Sequence, residues 1–218
     1  MSRPAPVTTA SRNAPGRPKD PAKRAAVLEA AKQLFAAHGF EGVSMDQIAQ
    51  QAGVSKLTLY SHFGDKEGLL SAAVRAHCEQ EMPVALLQPA PGTPLREHLI
   101  GIGRAFHALA NSPTAIAGHR MLTAPSALSP QLAARFWDDG PARIQEGLAA
   151  LLKQRVDAGE LLIEDTTLAA SHLCALLKGE AHARLMLGHP EPLDDAEAER
   201  QMESAIDLFL RAYARRVP

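Results

Sequence analysis

The chain has 218 residues, of which 46% are hydrophobic, 22% are charged and only 4% are aromatic. This length and composition indicate one large or two small globular domains and exclude an intrinsically disordered chain. The formal net charge of −1 hides an asymmetry, since residues 1–76 carry a net charge of +4 and the remainder −5, which favours a polyanionic partner at the N-terminal end.

The N-terminal segment has the composition of a disordered arm, whereas the segment after it has the capping residues and periodicity of a helix. Residues 1–19 mix Pro, Ser, Thr, Ala and Arg without periodicity, and we expect a disordered arm there. A first helix is predicted after Asp20, which suits the N-cap position, with Pro21 at the first helical position. Apolar residues at helical spacing continue it to Gly39, which favours a left-handed C-cap.

Two closely spaced N-cap signals follow the first helix. Ser44 stands three residues ahead of Gln47, which predicts a capping box, and Ser55 marks a second helix start. Gly53 lies in the short turn between these helices, where a residue that tolerates positive φ is favoured. Two short helices joined by such a turn indicate a helix-turn-helix. A further helix is predicted from Asp65 to about residue 81.

Prolines between residues 83 and 94 interrupt the helical pattern, and beyond them the sequence predicts only helices. Gly140-Pro141 is predicted to kink or break one of these helices. The predicted fold class is therefore all-α, with a helix-turn-helix domain over residues 20–82 and a larger helical domain over residues 93–218. The predicted helix starts in the second domain lie at Thr93-Pro94, Ser112-Pro113, Ser129-Pro130, Asp165 and Asp194.

The polar residues around the second helix of the helix-turn-helix predict contact with DNA, because this helix enters the major groove. Lys56 suits a phosphate or guanine, Thr58 a base or phosphate, and Leu57 a thymine methyl group. Lys66 is predicted to bind a phosphate at the start of the next helix. Arg17 belongs either to an arm that enters the minor groove or to a solubilising tail. The predicted DNA-binding residues are Arg17, Ser44, Ser55, Lys56, Leu57, Thr58, Tyr60, His62 and Lys66.

Residues 22–70 resemble the N-terminal domain of the TetR/AcrR family of bacterial transcription repressors. The resemblance rests on the segment AAKQLFAAHGFEGVSMDQIAQQAGVSKLTLYSHFGDKEGLL. It implies a three-helix DNA-binding unit on a larger helical domain that binds a ligand and dimerises. Leu57 departs from the family pattern, in which a small residue is common, and this leaves the base preference open. The segment SPQLAARFWDDGPARIQEGLAALLKQRVDAGEL resembles the AefR-like C-terminal domain.

The helices of the second domain are the predicted effector site, because helical bundles hold ligands between facing helices. Met and aromatic side chains suit a small, mostly apolar molecule, and histidines would bind its one or two polar atoms. A strongly anionic ligand is disfavoured, since only four arginines (104, 120, 135 and 143) are nearby in sequence. The alternative for each residue is a plain core position. The predicted ligand-binding residues are Phe106, His107, His119, Met121, Leu122, Phe136, Trp137, His172 and Leu176.

Apolar residues on more than one stripe of the last two helices, 166–187 and 194–214, predict a homodimer. These helices would pack against their twins as a four-helix bundle, as the resemblance also implies. A two-fold dimer would read a pseudo-palindromic operator on double-stranded DNA. The predicted interface residues are Leu177, Leu185, Met202, Ile206, Phe209 and Tyr213.

Other classes of function have little support in the sequence. The nine histidines are dispersed without ligand spacing, so neither a metal nor a cofactor is expected. Enzyme signatures such as a P-loop or a nucleophile elbow are lacking, which leaves a helical protein-interaction or scaffold protein as the alternative. Cys78 and Cys174 form no redox motif, and neither an N-terminal apolar segment nor a stretch of about 18 apolar residues is present. A cytoplasmic protein without membrane association is therefore predicted.

Overall fold

The structure is a computed structural model that describes residues 20–88, 92–123, 129–189 and 193–215. These residues form ten α-helices and one 3-10 helix, which confirms the predicted all-α fold. Arg17 and the predicted arm lie outside the described residues. The α-helices are α1 (Pro21–His38), α2 (Met45–Gln51), α3 (Lys56–Phe63), α4 (Lys66–Glu81), α5 (Leu95–Asn111), α6 (Pro113–Thr123), α7 (Pro130–Asp139), α8 (Pro141–Asp157), α9 (Thr166–Leu187) and α10 (Asp195–Tyr213), and the 3-10 helix covers Val84–Leu87.

Side-chain caps determine where most of these helices begin. Ser44 and Gln47 form the predicted reciprocal capping box, and the Ser55 hydroxyl accepts a hydrogen bond from the Thr58 amide. Such caps satisfy backbone amides that have no partner inside the helix. The same role falls to Asp20, Asp65, Ser129, Asp165 and Asp194.

Glycines interrupt the helices at two places. Gly140 separates α7 from α8, so the predicted kink or break at Gly140-Pro141 is a break. Gly179 interrupts α9 with φ 52° and ψ −156°. A side chain would be strained in that conformation, whereas glycine adopts it readily. The sequence did not indicate the interruption at Gly179, because a lone glycine in an apolar helical pattern is usually tolerated without a break.

Two hydrophobic clusters stabilise the chain. The first joins α1 to α4 around the fully buried Ile48 and Leu59, and the second joins α5, α8, α9 and α10 around residues such as Leu148. Leu132 of α7 is buried in the first cluster, and Met121 of α6 packs against it. The helix-turn-helix unit is therefore packed directly against α6 and α7. None of the described helices combines the length and the apolar character needed to cross a lipid bilayer.

A buried polar network anchors the connection between α4 and α5. The Arg155 guanidinium donates to Nδ1 of His98 at 3.0 Å and to Glu160 at 2.9 Å. His98 in turn donates from Nε2 to the carbonyl oxygen of Leu86 at 2.8 Å. Because Nδ1 accepts while Nε2 donates, this arrangement requires the neutral imidazole. The network fixes the 3-10 helix to α5 and α8.

Candidate nucleic-acid interface and effector cavity

The outer face of α3 exposes large apolar side chains. Leu57 is 80% exposed and Tyr60 is 46% exposed, whereas Leu59 on the inner face is fully buried. The buried Leu59 anchors α3 in the first hydrophobic cluster. Apolar side chains that share one exposed face typically mark a surface for a partner molecule. The face is thus a candidate interface that the other described residues leave uncovered.

Polar and basic side chains surround this face. The hydroxyls of Ser55 and Thr58 lie 2.9 Å apart at the start of α3. Lys56 Nζ lies 2.5 Å from a carboxylate oxygen of Asp46, and both side chains are exposed. An exposed ion pair of this kind contributes about 0–1 kcal/mol, so a phosphate can replace the carboxylate at little cost. The predicted contact residues that are exposed or partly exposed around α2 and α3 are Ser44, Ser55, Lys56, Leu57, Thr58, Tyr60 and His62.

Lys66 has a structural role that the sequence analysis did not foresee. Its ammonium group donates to the backbone carbonyls of Phe40 at 2.9 Å and Val43 at 3.1 Å. It also lies 4.3 Å from the centroid of the Phe40 ring, and its side chain is only 24% exposed. Two of its three N–H donors therefore hold the turn between α1 and α2. This structural role stands beside the predicted contact of Lys66 with a DNA phosphate, which stays a prediction.

A cavity of about 110 Å³ lies between the helix-turn-helix unit and the helices that follow it. Helices α1 and α4 line one side, and α5 to α9 line the rest. Most of the wall is apolar, with Phe35, Phe106 and Phe136 among its aromatic residues. An engineered apolar cavity of about 150 Å³ binds benzene, so this volume suits one small ring. A ligand in the cavity would contact both halves of the chain.

Only part of the predicted ligand-binding set lies in this wall. Phe106, His119, Met121 and Phe136 line the cavity. Trp137 is 48% exposed instead, because consecutive helical residues point about 100° apart and Phe136 already faces inward. This corrects the assignment of Trp137. Corrections also apply to His107, Leu122, His172 and Leu176, which are absent from the cavity wall.

Basic residues of the cavity wall escaped the sequence analysis. Lys32 of α1, His77 of α4 and Lys178 of α9 all line the cavity. Lys32 is paired with Glu29 at 2.8 Å, and Nε2 of His77 lies 2.9 Å from the Ser112 hydroxyl. No acidic side chain lines the cavity among the residues that the structure describes. No local motif could reveal this set, since three helices far apart in sequence supply it.

Two histidines meet where α6 packs against α9. The rings of His119 and His182 are 5.2 Å apart and nearly perpendicular. Burial lowers the pKa of His119 to about 4, and the charges of His182 and Lys178 act in the same direction. Burial also lowers the pKa of His182, whose Nδ1 lies 3.1 Å from the Ala110 carbonyl oxygen. Both imidazoles are therefore neutral at pH 7.

We expect mild acid to destabilise the fold through His119. Its pKa of about 4 in the folded chain lies below the ordinary histidine value of 6.5, so between these pH values the unfolded chain binds a proton that the folded chain does not. Stability that is present above pH 6.5 is therefore lost as the pH falls, by about 1 kcal/mol at pH 5 once solvent screening of the partly exposed ring is included. Urea unfolding at pH 7 and pH 5 measures the loss. His119→Gln should lose distinctly less than the parent chain, and an equal loss in both would contradict the assignment.

The predicted dimer residues lie mostly inside the single chain. Leu177, Met202, Ile206 and Phe209 are buried in the second hydrophobic cluster, so a partner's side chains could not contact them. Tyr213 packs on Phe209 with ring centroids 4.8 Å apart. The prediction is corrected for Leu177, Met202, Ile206 and Phe209, because the chain's own core covers them, and it stays a prediction for Tyr213 and Leu185, which are only partly buried.

The arrangement of a helix-turn-helix unit on a larger helical domain is matched by two family models of bacterial transcription regulators. A family model described as "AefR-like transcriptional repressor, C-terminal domain" matches residues 97–215. Another, described as "Bacterial regulatory proteins, tetR family", matches residues 27–73. The chain therefore belongs to the TetR family. Among the described residues, no group of three His, Cys, Asp or Glu side chains could hold a metal ion.

Several named proteins are similar to this chain. The HTH-type transcriptional repressor AcnR of Corynebacterium glutamicum is 40% identical over 52 residues, which are 24% of this chain and 28% of AcnR. The chain thus spans little more than a quarter of that curated relative. The solved structure of the flavonoid-responsive regulator FrrA is 33% identical, covers 89% of this chain and 98% of FrrA, and gives a TM-score of 0.70. A TetR family regulator from Pseudomonas syringae pv. tomato str. DC3000 is 28% identical, with 89% and 98% coverage and a TM-score of 0.65.

Proposed function

We propose that the protein is a cytoplasmic transcription repressor that binds operator DNA through α3 and is released by a small, mostly apolar ligand. The observation that carries the proposal is the exposure of Leu57 and Tyr60 on a helix that Leu59 anchors from its inner face. An α-helix fits the major groove, where exposed apolar groups contact thymine methyls. Lys56 and the N-terminal end of α3 favour the DNA backbone beside the groove.

The position of the cavity supports control by a ligand. Helix α4 lines it through Leu70 and Val74, and only two residues separate the start of α4 from the end of α3 at Phe63. A ligand that binds more tightly to a state with displaced α4 shifts the population toward that state. Displacing α4 changes the position of α3 and hence the fit to the operator. The similarity to a regulator named as flavonoid-responsive supports a small organic effector.

We further propose a homodimer through the outer faces of α9 and α10. Leu168 and Leu176 of α9 are 52% and 37% exposed, and Leu208 of α10 is 49% exposed. These leucines lie on the sides of the two helices that the chain's own core leaves open. Burying them against a second copy removes apolar surface from water. Two recognition helices related by two-fold symmetry then read two half-sites.

Selection of bound DNA from a random pool tests the proposed function. A repressor of this kind is expected to enrich a pseudo-palindromic sequence whose half-sites are separated by about one helical turn, or a multiple of it. A reporter gene behind the selected site should be silenced by the protein. Enrichment of no sequence would contradict the proposal and favour the alternative of a helical protein-interaction protein.

The double variant Leu57→Ala/Tyr60→Ala is expected to weaken binding to the selected operator by about 5- to 150-fold, which corresponds to about 1–3 kcal/mol. Because both side chains are exposed, stability should change by no more than about 0.5 kcal/mol for each substitution. Fluorescence anisotropy with labelled operator at fixed salt gives the affinity. Leu162→Ala is the matched control, since Leu162 is exposed and its neighbours Leu161 and Ile163 belong to the second hydrophobic cluster, whereas α3 belongs to the first. Equal affinity of the double variant and the control would contradict the placement.

A further inference from the structure

We propose that the cavity takes an apolar acid, namely an aromatic or acyl molecule with a single carboxylate or phenolate group, and that Lys178 binds this group. The inference rests on the proposed function in one respect, because it names the chemical class of the effector. Binding to the cavity can nevertheless be measured without DNA. Lys178 is therefore assigned as the residue that determines ligand specificity.

The charges around the cavity all have the same sign. Lys32 and Lys178 are its charged lining residues within the described ranges, and both are cationic. Lys32 already has a counter-charge in Glu29 at 2.8 Å. Lys178 forms no ion pair with any described residue, and its charge contributes to the lowered pKa of both His119 and His182. A ligand anion would supply the missing counter-charge in a region of low dielectric.

His119 offers a second polar contact in the same wall. Its Nδ1 is buried and has no hydrogen-bond partner among the described residues. A buried polar atom without a partner is unfavourable by about 1–3 kcal/mol, and a ligand oxygen would remove this penalty. The neutral imidazole can donate one hydrogen bond to an acidic oxygen without first taking up a proton. Lys178 and His119 together therefore suit an oxygen anion better than a cation or a neutral amide.

The remainder of the wall suits an apolar body. Phe106, Leu109, Phe136 and Ile144 line the cavity on the sides contributed by α5, α7 and α8. The volume of about 110 Å³ limits a ligand in this state of the chain to about one ring. Gly179 follows Lys178 directly and interrupts α9, so Lys178 lies immediately before a break in the helix. An aromatic acid with one ring combines the two properties of the wall.

This conclusion reverses the sequence-based expectation that an anionic ligand is disfavoured. That expectation rested on four arginines, three of which (Arg104, Arg120 and Arg135) form ion pairs or hydrogen bonds with residues outside the cavity wall. Arg104 pairs with Glu199 at 2.5 Å and Arg135 with Glu67 at 3.1 Å, while Arg120 donates to backbone carbonyls at the end of α9. The cations in the cavity wall are lysines from α1 and α9 instead.

Matched acids and amides test the proposal. Benzoate and 2-naphthoate are compared with benzamide and 2-naphthamide by isothermal titration calorimetry at pH 7.5 on the full chain without DNA. At least one acid is expected to bind tenfold or more tightly than its amide. Lys178→Met should weaken binding of that acid at least tenfold and change binding of the amide less than twofold. Lys178→Arg should retain most of the affinity, and circular dichroism verifies that both variants are folded.

Three results would overturn the proposal: no binding of either acid, equal binding of acid and amide, or unchanged acid affinity in Lys178→Met. Release of the selected operator is measured in a separate experiment. An acid that binds through Lys178 without releasing DNA supports the ligand class and contradicts the effector role. An amide that releases DNA independently of Lys178 supports the proposed function and overturns the inference.

Discussion

The double variant Leu176→Glu/Leu208→Glu is expected to be a folded monomer with greatly reduced operator affinity. Both leucines are substantially exposed in the single chain, so their replacement leaves the subunit core intact. In the dimer, each glutamate would be buried without a partner, which costs several kcal/mol per ion. The dimer dissociation constant should therefore rise at least about 1,000-fold, equivalent to about 4 kcal/mol. A monomer can occupy only one half-site at a time.

Analytical ultracentrifugation with far-UV circular dichroism separates this outcome from unfolding. Val84→Glu is a matched control, because Val84 is an exposed apolar residue on the 3-10 helix, outside α9 and α10, and this variant should stay dimeric. Ile206→Asp is a contrasting variant. It places a charge at a fully buried position and should unfold the subunit instead. A double variant that remains dimeric at micromolar concentration would refute the proposed interface.

The variant Lys66→Met is expected to destabilise the protein by about 2–4 kcal/mol, because it removes two charge-assisted hydrogen bonds and a cation–π contact. The carbonyls of Phe40 and Val43 would lose their ammonium donor, and the Phe40 ring would lose its cation. Lys56→Met is the matched control, since within the described part of the chain the Lys56 ammonium pairs only with the exposed Asp46. Its stability should change by no more than about 1 kcal/mol. Urea unfolding compares the two variants.

The salt dependence of operator binding is a second test that distinguishes a phosphate-binding role of Lys56 from a structural role of Lys66. Lys56→Met should lower the slope of log K against log salt by about one, because one phosphate contact is lost. Lys66→Met should leave the slope unchanged once the folded fraction is taken into account. A lower slope in Lys66→Met at unchanged stability would support the phosphate assignment and contradict the structural role.

Local interactions allowed much of the helical fold to be predicted from the sequence. The capping box of Ser44 and Gln47 and the cap at Ser55 involve residues three apart. Gly53 adopts a positive φ of 65°, which glycine allows without help from any other residue. Signals of this kind act within one helical turn and need no tertiary partner. The helix-turn-helix, and with it the candidate recognition helix α3, was therefore readable from one segment. The contacts of Lys66 with Phe40 and Val43 were not readable in this way, because these two residues lie in the turn between α1 and α2, 26 and 23 residues away.

The sequence by itself determined the helices, the helix-turn-helix and the family, whereas only the tertiary structure decided which side of each helix faces inward. Ile206 is buried while Leu208, two residues later, is half exposed. Phe136 lines the cavity while Trp137 does not. A helix with apolar residues on several sides has more than one possible buried face, and the choice depends on which neighbours cover it. The same reason explains why Lys178 was missed: its place in the cavity wall results from packing between distant helices.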